Sequence, residues 1–289
     1  MNRKADAVDP AAGSMAVYRN IVYTSNAGRV QKLDVYVPGG DVPPGGRPVI
    51  LAIHGGGWRK RTKDDYGARV ASAFLSEGFV VVAPNYQLSR KGQPSWPVNL
   101  EQVETAVDWI KGRASQYGIN PARVVAMGES AGANLAELLG TPPRSDAENN
   151  SSGMVSAVSA VVAFSGPSDL NSLYKASPRA GAAAARFLGG TPSQVPDLYS
   201  AASPALQERK GGVPMFLVHG AVDDLVPLAQ SMEMAAALKQ FEIPYQLVVL
   251  PGLGHDLDFP VGTPRNLIPQ ILEFLAGTWK DKESQSLTS

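Results

Sequence analysis

The segment Gly128-Glu129-Ser130-Ala131-Gly132 constrains the fold of this chain more than any other. It fits the pattern G-x-S-x-G, in which a serine stands on a sharp turn between a strand and a helix. The apolar run 124–127 before it predicts a short buried strand, and residues 131–139 after it have an apolar helical pattern. Glycines at the outer positions let strand and helix pass closely around a strained serine. The sequence therefore predicts a strand-turn-helix unit that presents Ser130 as a nucleophile.

A second glycine-rich motif, His54-Gly55-Gly56-Gly57-Trp58, follows the apolar run 49–53. It is typical of a loop whose backbone N–H groups stabilise an oxyanion. Either motif alone would be a weak signal. Together, in this order and each after an apolar run, they predict acyl-transfer chemistry.

The base that activates Ser130 must come from a short list, because the chain has three histidines. A serine hydroxyl is a poor nucleophile until a base takes its proton, and that base needs an orienting acid. His54 belongs to the glycine loop and is expected to hydrogen-bond it, and His219 ends an apolar strand and is expected to be structural. His255 lies in a glycine-rich loop after the strand pattern 245–250, so it is predicted as the base. A structural or surface role for His255 is the alternative.

The orienting acid is expected between Ser130 and His255, because the chain order in this type of site is Ser, Asp, His. Two adjacent aspartates, Asp223 and Asp224, follow the apolar strand pattern that ends at His219. Asp223 falls at the aspartate of the pattern H-G-x-x-D-x-x-V-P and is predicted as the acid. Asp224 is the alternative; otherwise it is a loop residue or caps a helix that begins near residue 227.

These motifs resemble those of the α/β-hydrolases of the carboxylesterase type. The chain is similar to hormone-sensitive-lipase-like esterases and, more closely, to bacterial acetylxylan and feruloyl esterases. The resemblance runs from about residue 17 to 278 and includes further segments at 85–89, 117–123 and 164–170. It implies a catalytic triad of Ser130, Asp223 and His255, which forms an acyl-enzyme without a metal or cofactor. It also implies an oxyanion hole made by the N–H groups of Gly56, Gly57 and Ala131.

The chain departs from its closer relatives after the nucleophile. They often have serine-alanine-glycine-glycine-histidine, whereas this chain reads Ser130-Ala131-Gly132-Ala133-Asn134, which is nearer the lipase-like pattern. The long N-terminal cap of the lipase-like group is also expected to be absent, because the first strand pattern begins at residue 17. These departures leave the substrate class open.

The composition fits one domain with a sizeable core, since 44% of the 289 residues are apolar. The 26 basic and 26 acidic residues give a formal charge of zero, so nothing indicates a nucleic-acid partner. The absence of cysteine excludes disulfides and a thiol nucleophile. No apolar run reaches the ~18 residues of a membrane span, so none is expected. Cytoplasmic location and export with a missing signal both stay open, as does the oligomeric state.

Strand and helix patterns alternate along the chain, which predicts an α/β fold with a mostly parallel eight-stranded sheet flanked by helices. Residues 17–23 and 32–37 predict an antiparallel hairpin that begins the sheet. The later strands are expected at 49–53, 79–83, 123–127, 157–164, 215–219 and 246–250. The helices are expected at roughly 63–77, 98–116, 131–139, 227–240 and 265–278.

The expected organisation is one α/β-hydrolase domain over residues 17–279, with a flexible arm at 1–16 and a flexible tail at 280–289. Residues 169–204 follow the sixth predicted strand, where lids arise in this fold. We interpret them as a small lid that frames the substrate pocket. The alternative is a set of surface helices far from the site.

Three aromatic residues, Trp58, Tyr86 and Trp96, fall on loops at predicted strand ends. They are expected to line the substrate pocket, with mere packing as the alternative. The basic run 59–63 lies beside the oxyanion loop and would favour anionic substrates, unless it is a solvated face.

The favoured function is hydrolysis of short-chain carboxylic esters, with acetylated xylan and feruloyl esters among the candidate polysaccharide substrates. An amidase or peptidase with the same triad is the second hypothesis. It ranks lower because nothing in the sequence predicts the propeller domain that is common in peptidases of this fold. A non-catalytic binding protein on the same scaffold is the third hypothesis. The predicted base, His255, disfavours it.

Overall fold

The computed structural model describes residues 14–26, 29–142, 157–257 and 267–286. Its centre is an eight-stranded sheet with the strand order β1-β2-β4-β3-β5-β6-β7-β8. The strands are β1 (Ala16–Asn26), β2 (Arg29–Val37), β3 (Arg47–Ile53), β4 (Val80–Pro84), β5 (Ile119–Glu129), β6 (Ala160–Phe164), β7 (Met215–Gly220) and β8 (Tyr245–Leu250).

Helices cover both faces of this sheet. They are α1 (Lys63–Phe74), α2 (Val98–Gly112), α3 (Ala114–Tyr117), α4 (Ala131–Gly140), α5 (Leu170–Ala176), α6 (Pro178–Leu188), α7 (Pro196–Ala201), α8 (Pro204–Gln207), α9 (Ala229–Gln240) and α10 (Ile268–Ser286). Strands β1 and β2 form an antiparallel hairpin, β2 is antiparallel to β4, and every later pairing is parallel. The predicted α/β architecture, including the opening hairpin, is therefore confirmed.

The inner strands consist of near-continuous apolar runs because both of their faces are buried. On one face, α2, α4 and α9 supply core residues such as Val107, Leu135 and Leu238. On the other face, α1 and α10 supply residues such as Phe74 and Ile271. Burial of apolar surface on both sides stabilises the sheet and makes it a rigid base for the loops at its edge.

The carboxyl ends of four neighbouring strands meet at one edge of the sheet. Ile53 of β3 pairs with Gly128 of β5, Glu129 of β5 pairs with Phe164 of β6, and Phe164 pairs with Val218 of β7. Loops that follow these strands therefore converge. In open α/β sheets this edge is where ligands bind.

Helices α5 to α7 form a separate small core beyond this edge, within residues 169–204. Its buried members include Leu173, Ala184 and Phe187, and it also contains Trp58 and Ala131 from the two glycine-rich motifs. The segment thus packs directly onto the predicted site rather than far from it.

Helix α10 extends further than the sequence predicts. It runs to Ser286, so residues 280–286 continue a helix where the sequence predicts a flexible tail. The extension is polar and lacks an apolar stripe, and helix formers such as lysine, glutamate and glutamine suffice to continue a helix already started. Of the predicted N-terminal arm, residues 1–13 lie outside the described residues and Ala16 already belongs to β1. In the part of the chain described, no helix is long and apolar enough to cross a membrane.

Candidate active site

Ser130 stands on a strained turn between β5 and α4. Its φ angle is +53°, which is unusual for a residue other than glycine, and its N–H donates to the carbonyl of Phe164 at 2.8 Å. A Cβ atom added at Gly128 would overlap the carbonyl of Gly132, and one added at Gly132 would overlap the carbonyl of Ile53. Both glycines are therefore required by the close packing that holds the strained serine in place.

A series of hydrogen bonds joins Ser130, His255 and Asp223. The Nε2 atom of His255 lies 2.9 Å from Oγ of Ser130, and its Nδ1 atom lies 2.8 Å from Oδ2 of Asp223. A carboxylate can only accept, so Nδ1 carries the proton and Nε2 is left to accept the serine O–H. The structure thus brings the three predicted triad residues together in the order that general-base activation of a serine needs.

Asp223 is held in its ionised form. Burial of its side chain raises the pKa, but hydrogen bonds from His219 and His255 outweigh that effect, so the pKa of Asp223 lies well below its usual range. Its second oxygen, Oδ1, accepts from the N–H groups of Leu225 at 3.0 Å and Val226 at 2.8 Å. The alternative acid, Asp224, is exposed and lines the neighbouring cavity instead.

The other two histidines make hydrogen bonds to groups other than Ser130 and His255. The Nε2–H of His219 donates to the carbonyl of Val226 at 2.8 Å, and its Nδ1 accepts from the hydroxyl of Ser231 at 2.7 Å. The Nδ1–H of His54 donates to the carbonyl of Gly55 at 2.8 Å. Burial lowers the pKa of His54 to about 4, although the bond to Gly55 acts in the opposite direction, so its ring is neutral at pH 7.

The glycine loop after β3 lies against the serine turn. Gly56 has a φ of +108°, and a Cβ added there would overlap the carbonyl of Lys60. A Cβ added at Gly55 would come within 3.3 Å of Cβ of Ser130, which shows how closely the loop approaches. Among the described residues, the N–H groups of Gly56, Gly57 and Ala131 donate to no protein acceptor. These donors are therefore available to an oxyanion.

The three aromatic residues predicted to line the pocket have different positions. Trp58 lines the cavity over Ser130, and its ring stacks on Phe187 with the ring centres 4.4 Å apart. Tyr86 does not reach the cavity, because its ring is buried against His54 and its hydroxyl donates to the carbonyl of His54 at 2.7 Å. Trp96 also lies outside the cavity lining and packs edge-to-face on Phe187. The prediction of pocket contact is wrong for Tyr86 and Trp96, which support the loops instead.

A cavity of about 940 Å³ opens over Ser130 and His255. Helix α6 forms one wall with Ala183 and the exposed side chains of Arg179 and Arg186. A Cβ added at Gly57 would lie 3.6 Å from Cβ of Ala183, so this wall contacts the glycine loop.

Two carboxyl groups near the serine have no role assigned from the sequence. Glu129, at the variable position of the motif, accepts from Nη2 of Arg69 at 2.9 Å and also pairs with Arg61. Glu137 is fully buried in α4 and accepts from the hydroxyl of Ser168 at 2.8 Å; burial raises its pKa to about 8. Glu137 is the one charged residue of α4, whose other members are apolar apart from Asn134, and this pattern was the sequence signal for a buried carboxyl.

Comparison with known proteins places these features in a family. The model of the BD-FAE family matches residues 33–238. The chain is 27% identical to Esterase LipQ of Mycobacterium tuberculosis over 254 residues, which cover 86% of this chain and 60% of LipQ. It therefore spans about three fifths of the length of that relative.

Solved structures give the same fold. A truncated carbohydrate esterase from gut microbiota superposes with a TM-score of 0.75 at 22% identity, over 92% of this chain and 97% of that one. Thermogutta terrifontis esterase 2, in a structure described as phosphorylated by paraoxon, superposes with a TM-score of 0.66 at 25% identity, over 91% and 90%. The resemblance to α/β-hydrolase esterases is confirmed.

Proposed function

We propose, from the premise that this chain belongs to the BD-FAE family, that it hydrolyses carboxylic esters with Ser130 as the nucleophile. The observation that carries the proposal is the pair of hydrogen bonds from Ser130 to His255 and from His255 to Asp223, at 2.9 and 2.8 Å. This arrangement is what a hydroxyl nucleophile requires at neutral pH. The similarity to proteins named as esterases supports the same reaction.

The first half of the reaction forms an acyl-enzyme. Oγ of Ser130 attacks the ester carbonyl while Nε2 of His255 takes the hydroxyl proton, and ionised Asp223 stabilises the imidazolium. The oxyanion of the tetrahedral intermediate accepts from the N–H groups of Gly56, Gly57 and Ala131. Each such donor is worth about 3–4 kcal/mol of transition-state stabilisation.

The tetrahedral intermediate then collapses: the bond between the carbonyl carbon and the alcohol oxygen breaks, and His255 gives its proton to the leaving alcohol, which completes the acyl-enzyme. The second half releases the acid. Water then attacks the acyl-enzyme, with His255 again acting as the base, and Ser130 leaves protonated. Every proton transfer uses a residue of this chain.

The acyl group is proposed to be short, and residues 169–204 are proposed to act as a small lid over it. The cavity lining mixes nine charged side chains with large apolar ones such as Phe164, Leu173 and Leu257. A methylene gains about 0.8 kcal/mol only when it is buried against apolar surface, so a chain long enough to pass the charged side chains gains little from them. Acetyl groups on plant polysaccharides fit this description, a feruloyl group is the bulkier aromatic alternative, and the carbohydrate esterase neighbour has the same fold.

The preference for short acyl groups is tested with p-nitrophenyl esters from acetyl to decanoyl. We expect kcat/KM to peak between acetyl and butyryl and to fall by octanoyl. Matched acyl anilides, measured in parallel, separate an esterase from an amidase. Activity that still rises at decanoyl would indicate a long apolar tunnel and contradict the proposal.

The nucleophile is tested independently with paraoxon, which modifies activated serines. We expect a single diethylphosphoryl group on the peptide that contains Ser130, with loss of ester hydrolysis in proportion to labelling. The Ser130→Ala variant is the control and should remain unlabelled. Labelling of a different serine, or none in an active preparation, would contradict the assignment.

A further inference from the structure

We propose that the natural ester carries a carboxylate on its alcohol portion and that this portion is an oligosaccharide with uronic acid units. This inference rests on the proposed function, because it names the class of ester that the same site would accept. The positively charged surface that carries it is called the cationic track below. It consists of Arg59, Lys60, Arg90, Lys91, Arg179 and Arg186.

The cavity over Ser130 has an excess of positive charge. Six of its lining side chains are cationic, namely Arg59, Lys60, Arg61, Arg69, Arg179 and Arg186. Three are acidic, namely Glu129, Asp224 and Asp256. The formal charge of the whole chain is zero, so this excess is local to the cavity.

Internal ion pairs account for only part of this charge. Arg61 and Arg69 both pair with Glu129. Within the described ranges, no ion pair involves Arg59, Arg179 or Arg186, and all three side chains are exposed; the same holds for Lys60. Unpaired arginines at a site are available to a carboxylate, which their planar guanidinium groups bind with two parallel hydrogen bonds.

The track continues away from the serine. Arg179 and Arg186 are seven residues apart on α6 and therefore lie on one face of that helix, two turns apart. Arg186 also lines a second groove of about 420 Å³, together with Arg90 and Lys91. The lining of this groove contains no acidic residue, and its polar members include Thr191 and Gln194.

The position of the track indicates which part of the ester is charged. Asp224 and Asp256 line the cavity on the His255 side and disfavour a carboxylate there. A short acyl group would end inside the cavity, whereas the cationic side chains continue past Arg186 into the second groove. The anionic part is therefore on the alcohol side of the scissile bond. The scarcity of large apolar side chains in that groove favours a sugar over a lipid.

The charge preference is tested with a matched pair of substrates. 4-Acetoxyphenylacetate and its methyl ester have the same scissile acetyl group, and the methylene isolates the leaving phenol from the carboxylate. We expect kcat/KM to be higher for the anionic ester at low salt and this advantage to shrink at about 0.5 M salt, where the Debye length is a few ångström. An acetylated oligosaccharide with glucuronic acid units is compared with the same material after reduction of its carboxyl groups.

The track itself is tested with the double variant Arg179→Gln/Arg186→Gln. We expect the ratio of kcat/KM for the anionic ester to that for the neutral ester to fall about tenfold. Lys239→Gln on α9 is the matched control; it removes an exposed cation that lines neither cavity and should leave the ratio within about twofold.

The possible failures can be told apart. If the neutral acetate is not hydrolysed in a Ser130-dependent way, the proposed function is wrong. A second outcome is Ser130-dependent hydrolysis of the neutral acetate in which the anionic ester has no advantage, or in which the double variant keeps the wild-type ratio of kcat/KM for the two esters. In either case the cationic track does not recognise substrate, and this inference alone is overturned.

Discussion

Replacement of Ser130 by alanine is expected to lower kcat for ester hydrolysis by about 10⁴-fold or more. The substitution removes the attacking oxygen and leaves the glycine loop and His255 in place. The fold should persist, because the backbone of residue 130 is held by the hydrogen bond to Phe164 and by packing at Gly128 and Gly132. Steady-state kinetics and a thermal unfolding curve check both statements.

A neighbouring serine provides the control. Ser165 follows β6, is buried and has, within the described part of the chain, no hydrogen-bond partner for its hydroxyl. Ser165→Ala should keep kcat within a few-fold of wild type, since the hydroxyl that it removes takes no part in the proton transfers. A Ser130→Ala variant that retains more than about a tenth of wild-type activity would refute the mechanism.

Asp223→Asn is expected to lower kcat by about 10⁴-fold, whereas Asp224→Asn should lower it by less than tenfold. An amide at 223 can still accept from the N–H groups of Leu225 and Val226 through its oxygen, so the loop is retained. Its NH₂ group then faces Nδ1 of His255, which must give up its proton to accept. The remaining proton moves to Nε2, and the ring can no longer take the proton of Ser130.

The measurement is kcat for p-nitrophenyl acetate, with thermal unfolding to verify that both variants are folded. Asp224 is the appropriate comparison, because it is adjacent, carries the same charge and is exposed at the cavity. A larger loss in Asp224→Asn than in Asp223→Asn would show that the other carboxylate orients His255.

The arrangement of Ser130, His255 and Asp223 was predictable because it depends on local sterics and on few alternatives. The elbow needs small residues at 128 and 132, and that need appears directly in the sequence. Three histidines left little choice of base. Asp223 could be separated from Asp224 only by position in a motif, because neither periodicity nor composition distinguishes adjacent carboxylates.

Other features were hidden because they depend on contacts between distant residues. The position of Tyr86 after a strand does not reveal that its hydroxyl must satisfy the buried carbonyl of His54. The bond between Arg69 and Glu129 joins residues 60 positions apart. The spacing of seven between Arg179 and Arg186 is visible in the sequence, but no helix is predicted there. Only the fold shows that both residues belong to α6 and that this helix lies beside the serine.

The inner and outer faces of helix α6 have different environments, and this has an evolutionary consequence. Its inner residues, Ala184 and Phe187, are fully buried, and Phe187 supports Trp58 of the glycine loop. Its outer arginines touch solvent, where single substitutions usually change stability by no more than about 0.5 kcal/mol. On the proposed function, selection can therefore exchange charges on the outer face, and so change which esters are accepted, without disturbing the inner face that supports the glycine loop. We therefore expect sequence divergence among such enzymes to appear first on this outer surface.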